Sequence, residues 1–384
     1  MTINNIQSKL STRIQTVEGS KTARFIPLLD ALKRQGRPVI SLAIGEPIDD
    51  TPAPVIDATK RALDRRETRY GDMAGLTALR AALAGRFEGC GPENIVVFNG
   101  SKQALYTIFQ CICDPGDQVI IPVPCWVSFA EQVKLAGGDP VFVRTKADHQ
   151  LDLEGITAAV GAKTKAILIN SPNNPTGAVY PRPALERIAR LAVEHDLVVI
   201  ADEAYDFFVY DNLPRFSLYE LEAVRERLIL TRSFSKHYAM TGFRVGYALA
   251  PTVVAAAMVR LQSHLTGNVC TFAQHGAVAA LAMDDGLLVR RREDLQRRRN
   301  LAFDKVSAMF PCIRPQGAFY LFPDVSGHLH RGETSGDFAA RILEKTGVAI
   351  VPGEDFGKDG HVRICFAAPD DQLLDAFRRI REVL

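Results

Sequence analysis

A short apolar run leads into a lysine and an arginine in the stretch Leu228-Ile229-Leu230-Thr231-Arg232-Ser233-Phe234-Ser235-Lys236-His237-Tyr238-Ala239-Met240-Thr241-Gly242-Phe243-Arg244. The apolar run is typical of a buried strand, so Lys236 comes soon after the end of that strand. An amine that is partly desolvated near another cation loses proton affinity, and the free amine can form a Schiff base with a carbonyl. The competing interpretation is a surface lysine whose stem lies along an edge strand.

Groups suited to a phosphate surround this lysine in the sequence. Arg244 can bind a phosphate, and the hydroxyl groups of Ser233 and Ser235 can donate further hydrogen bonds to it. A reactive amine beside a phosphate site is what a phosphorylated aldehyde cofactor requires. The stretch therefore predicts a site for pyridoxal 5'-phosphate.

Apolar runs of strand length alternate with helical patterns through the middle of the chain. The predicted strands are residues 95–98, 119–121, 141–143, 166–169, 197–201, 228–230 and 245–249. Helical patterns, such as those at residues 102–113 and 183–195, lie between them. This alternation predicts an α/β fold with a mostly parallel sheet covered on both faces. Ligands bind such sheets at the carboxyl ends of the strands.

The C-terminal part has a different pattern. A long helical pattern at residues 251–308 precedes shorter strands and helices that are typical of a smaller α+β unit, and a helix predicted at 22–35 is expected to pack on that unit. We therefore predict a large cofactor-binding domain at residues 49–285. Residues 1–48 and 286–384 are predicted to form the small domain.

Composition excludes several classes of function. The 384 residues carry 46 Lys and Arg against 44 Asp and Glu, which gives no reason to expect nucleic acid or a membrane as partner. No apolar run reaches the roughly 18 residues of a membrane span, and the polar N-terminus lacks the apolar core of a signal peptide. The seven cysteines are scattered without zinc spacing. They indicate reduced thiols in a cytoplasmic protein with no metal site.

Polar residues follow several of the predicted strands. Gly100, Ser101 and Lys102 open a helix, where backbone amides can bind an anion, although many strand-to-helix turns carry Gly-Ser. Asp202 can keep a pyridine nitrogen protonated, or it can serve as a helix N-cap. Tyr205 can donate to the phenolate oxygen of the cofactor, or it can be an ordinary partly buried tyrosine.

Three further residues are candidates for the same edge of the sheet. Asn174 lies in a loop made rigid by two prolines and a glycine. Trp126, the only tryptophan, can stack on an aromatic cofactor or pack in the core. Arg363 lies in an alternating strand pattern and points either to solvent or into a cleft, where its guanidinium can bind a carboxylate through two hydrogen bonds.

Taken in order, these fragments resemble the class I aminotransferases of the fold-type I pyridoxal-phosphate enzymes over nearly the whole chain. The fragments that carry the resemblance are Ser41-Leu42-Ala43-Ile44-Gly45-Glu46-Pro47, Asn173-Asn174-Pro175-Thr176-Gly177, Asp202-Glu203-Ala204-Tyr205, Ser233-Phe234-Ser235-Lys236, Gly317-Ala318-Phe319-Tyr320 and Val351-Pro352-Gly353. The chain is most similar to the prokaryotic aspartate aminotransferase branch. The resemblance implies a seven-stranded, mostly parallel sheet in the large domain.

The resemblance also implies a role for each site residue. Lys236 resembles the Schiff-base lysine and proton shuttle, and Asp202 the partner of the ring nitrogen. Asn174 and Tyr205 resemble the partners of the ring hydroxyl oxygen. The phosphate site is implied to be Gly100, Ser101, Lys102, Ser233, Ser235 and Arg244, with Tyr70 of a neighbouring subunit. The implied substrate site is Arg363, Asn174, Trp126, which also stacks on the ring, and the backbone of Gly45.

These implications give the expected function. We expect a homodimeric, cytoplasmic aminotransferase that uses pyridoxal 5'-phosphate to move the α-amino group of an L-amino acid to a 2-oxo acid. Lys102, with hydroxyl groups at Ser20 and Thr22, suggests aspartate or glutamate as donor. Cys125, Ile48-Asp49 and residues 24–29 depart from the pattern of the branch near the substrate. The alternatives are a lyase or cyclase that eliminates at Cβ or Cγ, and a non-enzymatic sensor domain.

Overall fold

The computed structural model of the chain describes residues 9–19, 34 and 36–384. Its strands are β1 Ile40–Ser41, β2 Ile95–Phe98, β3 Gln118–Val123, β4 Asp139–Arg144, β5 Thr164–Asn170, β6 Val198–Asp202, β7 Leu228–Ser233, β8 Gly246–Leu249, β9 Tyr320–Leu321, β10 Val348–Ala349, β11 Val351–Pro352 and β12 Val362–Cys365. Its helices are α1 Thr12–Gln15, α2 Ala53–Asp64, α3 Thr77–Ala84, α4 Ser101–Ile112, α5 Ser128–Leu135, α6 Leu153–Ala159, α7 Arg182–Glu194, α8 Phe234–His237, α9 Thr252–Leu265, α10 Thr271–Leu281, α11 Gly286–Ser307, α12 Ser335–Thr346 and α13 Asp370–Arg381. The helix predicted at 22–35 lies outside the described residues except for Arg34.

The central sheet has seven strands in the order β2-β8-β7-β6-β5-β3-β4. Neighbouring strands are parallel except at β8, which runs antiparallel to both β2 and β7. Successive residues of β6 pack into different hydrophobic clusters, Val199 into one and Ile200 into the other. Both faces of the sheet are therefore covered, which explains why its strands are nearly continuous apolar runs. The predicted α/β fold with a mostly parallel seven-stranded sheet is confirmed.

Polar residues collect at the carboxyl edge of this sheet. β5 ends at Asn170 and β6 at Asp202, and these two residues are register partners. β7 ends beside them at Ser233. Because β8 is antiparallel, it begins at this same edge, where Gly246 pairs with both Ser233 and Phe98. The edge therefore receives residues from the ends of the parallel strands and from the start of β8.

Two expectations for the C-terminal part were wrong in detail. The helical pattern at 251–308 forms three helices, α9, α10 and α11, because the chain turns after α9 at Gly267, where φ is +70°, and turns again before α11. The apolar run at residues 348–351 has the sequence pattern of one strand, but it forms two short strands that join different sheets. β10 pairs with β1, whereas β11 pairs with β12, which in turn pairs with β9.

α11 carries charges along its exposed face. Asp294 forms ion pairs with both Arg297 and Arg298, one turn further along the helix. Such pairs between residues three and four positions apart are typical of a solvated helix face. Within the described part of the chain, no helix has the length and apolar character that crossing a membrane requires.

Candidate active site

A cleft of about 520 Å³ opens at the carboxyl edge of the central sheet. This volume is within the usual range for cofactor and small-molecule sites. Nine of the predicted site residues line it, namely Gly45, Ser101, Lys102, Trp126, Asn174, Asp202, Tyr205, Lys236 and Arg363. The structure therefore brings together residues that are far apart in sequence.

Lys236 lies on α8, a single helical turn that begins directly after β7. Ser233 caps this turn, because its hydroxyl oxygen accepts a hydrogen bond from the Ser235 amide at 3.1 Å. The Lys236 amine donates to the carbonyl oxygen of Gly45 at 2.6 Å. Burial lowers the pKa of Lys236 to about 8. Near neutral pH, a larger fraction of this amine is therefore unprotonated and nucleophilic than in an ordinary lysine.

Asp202 is the last residue of β6, and its side chain is buried at the base of the cleft. Burial raises the pKa of its carboxyl group to about 7. The Oδ1 atom accepts hydrogen bonds from the Ala204 amide at 3.2 Å and from the Thr231 hydroxyl at 3.3 Å. The residues after Asp202 form a turn and not a helix, so it is not a helix N-cap. A cation placed against it would keep the carboxylate ionised.

Arg363 points into the cleft and is buried. Its Nη1 atom donates to Asn174 Oδ1 at 2.9 Å, and its Nη2 atom donates to the Ala43 carbonyl oxygen at 2.6 Å. Its Nε atom has no hydrogen-bond partner among the described residues. The guanidinium also lies 4.4 Å from the centre of the Tyr320 ring. A fixed guanidinium with an unused donor is suited to a substrate carboxylate.

Tyr320 is a site residue to which sequence reasoning gave no role. Its hydroxyl oxygen lies 2.8 Å from that of Tyr205. A Cβ atom at Gly45 would overlap the Tyr320 hydroxyl, so the backbone at Gly45 approaches the ring as only glycine can. The only sequence signal for Tyr320 was its place in the fragment Gly317-Ala318-Phe319-Tyr320.

Gly100 and Arg244 meet beside the start of α4. Gly100 has φ +82°, and a Cβ atom there would overlap the Arg244 guanidinium. Arg244 donates to the Thr241 carbonyl oxygen at 2.9 Å and to that of Asn99 at 3.3 Å. The guanidinium is thus held against the first turn of α4, where backbone amides and the helix dipole favour an anion.

Lys102 and Trp126 lie together on one wall of the cleft. The Lys102 Nζ atom is 4.9 Å from the centre of the Trp126 ring. Burial, and then the nearby charge of Arg244, lower the pKa of Lys102. Trp126 is therefore at the cleft, although it also packs edge-on against Phe129 at 5.3 Å between ring centres.

Five predicted residues do not line this cleft in the single chain. They are Tyr70, Gly100, Ser233, Ser235 and Arg244. The Ser233 hydroxyl is engaged in capping α8, and both serines are buried. Tyr70 is 94% exposed. Ser20, Thr22 and residues 24–29 lie outside the described residues.

Comparison with known proteins identifies the family. The profile of the family "Aminotransferase class I and II" matches residues 37–380. The aspartate aminotransferase of Bacillus subtilis is 37% identical, with 97% of this chain and 98% of the relative covered. The aspartate/prephenate aminotransferase of Thermus thermophilus is 40% identical, with 98% of each covered. The structure of Thermus thermophilus aspartate aminotransferase with maleate has a TM-score of 0.93 at 40% identity, covering 98% of this chain and 99% of that one. The chain therefore belongs to the class I and II aminotransferases, and it is a pyridoxal-phosphate-dependent enzyme that transfers an amino group from an amino acid to a 2-oxo acid.

Proposed function

We propose that pyridoxal 5'-phosphate binds in the cleft at the carboxyl edge of the central sheet, joined covalently to Lys236. The observation that carries this proposal is the pair formed by Lys236 and Asp202, a half-buried amine and a buried carboxylate that line one cleft. An amine of lowered pKa suits the aldehyde of the cofactor, and a carboxylate suits its ring nitrogen. The comparisons support the use of this cofactor because they identify the family.

The remaining residues fit the other parts of the cofactor. The amides at the start of α4 and the Arg244 guanidinium suit the phosphate group. Tyr205 and Asn174 suit the ring hydroxyl oxygen, and Trp126 suits a ring face. The bound cofactor withdraws electrons from the substrate Cα atom, which makes its proton acidic.

The chain supplies the groups that act around this chemistry. Arg363 binds the α-carboxylate of the substrate, with Asn174, Trp126 and the backbone of Gly45 nearby, and so orients its Cα–H bond. Once the substrate amine had replaced Lys236 on the cofactor, the freed Nζ atom would accept the α-proton as a general base and could return it on the cofactor side. Asp202 stays ionised and holds the positive charge of the ring nitrogen in place.

We further propose aspartate or glutamate as the amino donor. The Lys102 amine faces the cleft beside Trp126, where it can bind a side-chain carboxylate. Several relatives are named aspartate aminotransferase. Lys102→Ala is expected to lower kcat/KM for glutamate more than for alanine. An equal loss for both donors would contradict this assignment.

We also propose that the protein is a homodimer in the cytoplasm. Each chain is proposed to have a large domain at residues 49–285 and a small domain formed by residues 1–48 and 286–384. Tyr70 projects an almost fully exposed ring. The chain beside it is fixed, because the Thr271 hydroxyl donates to the Arg69 carbonyl oxygen at 3.2 Å. Asn268 lies next to this contact. An exposed aromatic ring on a fixed backbone suits a partner subunit whose phosphate site it completes.

The proposal is tested by a half-reaction. The cofactor-loaded protein is mixed with single amino acids, without a 2-oxo acid, while the cofactor absorbance and the products are followed. Stoichiometric conversion of the cofactor to its amine form, with release of a 2-oxo acid, is expected. Catalytic consumption of substrate with release of ammonia would indicate a lyase instead. Lys236→Ala should abolish transfer, and substantial remaining transfer would contradict the role of Lys236.

A further inference from the structure

A cluster of paired charges lies behind Lys236, outside the cleft. Arg232 contacts Glu203 at 2.7 Å and Asp206 at 3.2 Å. Asp206 Oδ1 is also 2.8 Å from the Nε2 atom of His237, which is within ion-pair distance although the two atoms are not aligned for a hydrogen bond. Burial by itself would raise the pKa of Asp206, but Arg232 and His237 together lower it to about 2. The carboxylate of Asp206 is therefore charged and held by both partners.

This cluster joins two segments that carry site residues. Asp206 directly follows Tyr205 in the turn after β6, and His237 directly follows Lys236 on α8. The contact between Asp206 and His237 therefore ties the turn to the helix. None of the chemistry proposed for the cleft uses either side chain.

A second contact holds His237 through its backbone carbonyl group. Arg291, which is buried on α11, donates from Nη1 to the His237 carbonyl oxygen at 3.0 Å. Its Nη2 atom donates to the Asp50 carbonyl oxygen at 2.7 Å, and its Nε atom lies 3.5 Å from Asp49 Oδ2. Arg291 thereby links His237 to the loop that follows Gly45, whose carbonyl oxygen accepts the hydrogen bond from the Lys236 amine.

We propose that His237 is a positioning residue for Lys236, anchored at its side chain by Asp206 and at its carbonyl group by Arg291. The inference rests on the proposed function, in which Lys236 carries the cofactor. α8 has only four residues, and a single helical turn is not stable by itself. The orientation of Lys236 therefore depends on these anchors.

The test compares His237→Ala with His237→Gln. His237→Ala removes the contact with Asp206, whereas His237→Gln keeps a side-chain N–H group that can reach the carboxylate. His149→Ala is the matched control, because His149 is also buried but contacts Phe322, outside the cleft. The cofactor on Lys236 is trapped by borohydride reduction and located by peptide mapping. The capture rate, which is the rate at which the cofactor-free protein binds added pyridoxal 5'-phosphate, is measured alongside kcat and KM.

His237→Ala is expected to lower the capture rate and kcat by about 10- to 100-fold with little change in KM, since misplacing a reacting group by about 1 Å costs up to about 100-fold. His237→Gln should recover most of this loss, and His149→Ala should resemble the wild type. Wild-type rates in His237→Ala, or a loss in His237→Gln as large as that in His237→Ala, would overturn the inference.

A further variant separates the possible failures. If His237→Ala does not fold, Arg291→Met decides the inference: slower capture supports it, and wild-type capture overturns it. If peptide mapping finds the wild-type cofactor on a residue other than Lys236, the proposed function itself fails. If the cofactor is on Lys236 but capture does not depend on His237, only the positioning role is wrong.

Discussion

Replacing Lys236 by methionine should stabilise the cofactor-free protein at neutral pH, although it removes the residue on which activity depends. Burial lowers the pKa of Lys236 from 10.5 to about 8. In the unfolded chain the amine keeps its ordinary affinity for a proton. Holding the ammonium form at pH 7 therefore destabilises the native state, and a methionine of similar length avoids that penalty.

The size of the effect follows from the difference between the two pKa values. At about 1.4 kcal/mol per pKa unit, the lowered pKa corresponds to about 3 kcal/mol of lost stability. Lys236 is only half-buried, so hydration reduces this value, and the variant also loses the hydrogen bond to the Gly45 carbonyl oxygen, which contributes about 1 kcal/mol. We expect Lys236→Met to gain about 2 kcal/mol or somewhat less at pH 7.

The direction of the pKa shift of Lys236 also determines how the stability of the protein depends on pH. Between about pH 8 and 10.5 the unfolded wild-type chain holds a proton that the native state has released, so wild-type stability rises with pH in this range. Lys236→Met has no such proton, so the difference between the two proteins should shrink towards pH 10.5. At still higher pH both states of the wild type are neutral at this position.

The measurement is urea denaturation of the cofactor-free proteins from pH 7 to 10.5 at one protein concentration. Lys60→Met is the control, because the Lys60 side chain is exposed on α2 and its replacement should leave the stability curve unchanged. Equal stability of Lys236→Met and the wild type at pH 7 would refute the reasoning. A difference that stays constant over the whole pH range would refute it as well.

Three further predictions concern packing and charge. Gly45→Ala should lower the free energy of unfolding by about 1–3 kcal/mol, measured by urea denaturation, because the added methyl group overlaps the Tyr320 hydroxyl. Unchanged stability would show that the loop at Gly45 can accommodate a methyl group. Arg232→Met leaves two largely buried carboxylates without the arginine they share and should cost about 3 kcal/mol, so a loss below about 1 kcal/mol would contradict the pairing. Arg363→Lys loses the two-point contact with Asn174 and Ala43. It should raise KM for the amino donor at least about tenfold while the cofactor absorbance is retained. An unchanged KM would rule out the role of Arg363 in binding the substrate carboxylate.

The central sheet was predictable because most of its strands, the edge strand β4 excepted, are buried on both faces. Such strands are short apolar runs, and polar residues such as Asn170 and Asp202 mark the points where they end. The helices after residue 251 were harder to divide, because the helical pattern of apolar residues continues across Gly267 and does not show the turn there. β10 and β11 are too short for a pattern to separate them.

The site was predictable where a residue follows a strand or stands in a distinctive fragment. Asp202, Lys236 and Asn174 meet that condition, and all three line the cleft. The contacts of Tyr320 and of Arg291 were not predictable, since they join the loop after Gly45 to C-terminal segments far away in sequence. A contact between a side chain and a distant stretch of backbone leaves no periodic signal in a single sequence.

The position of β8 between β2 and β7 has a consequence for how the protein is made on the ribosome. β2 emerges early, but its partner in the sheet emerges only after every parallel strand of the sheet has been synthesised. Until then β2 is an open edge that can pair with another chain, and the Gly100 backbone has no Arg244 to meet. A nascent chain that stops before Arg244 therefore lacks the anion-binding corner. An anion can be bound at that corner only after synthesis has passed Arg244.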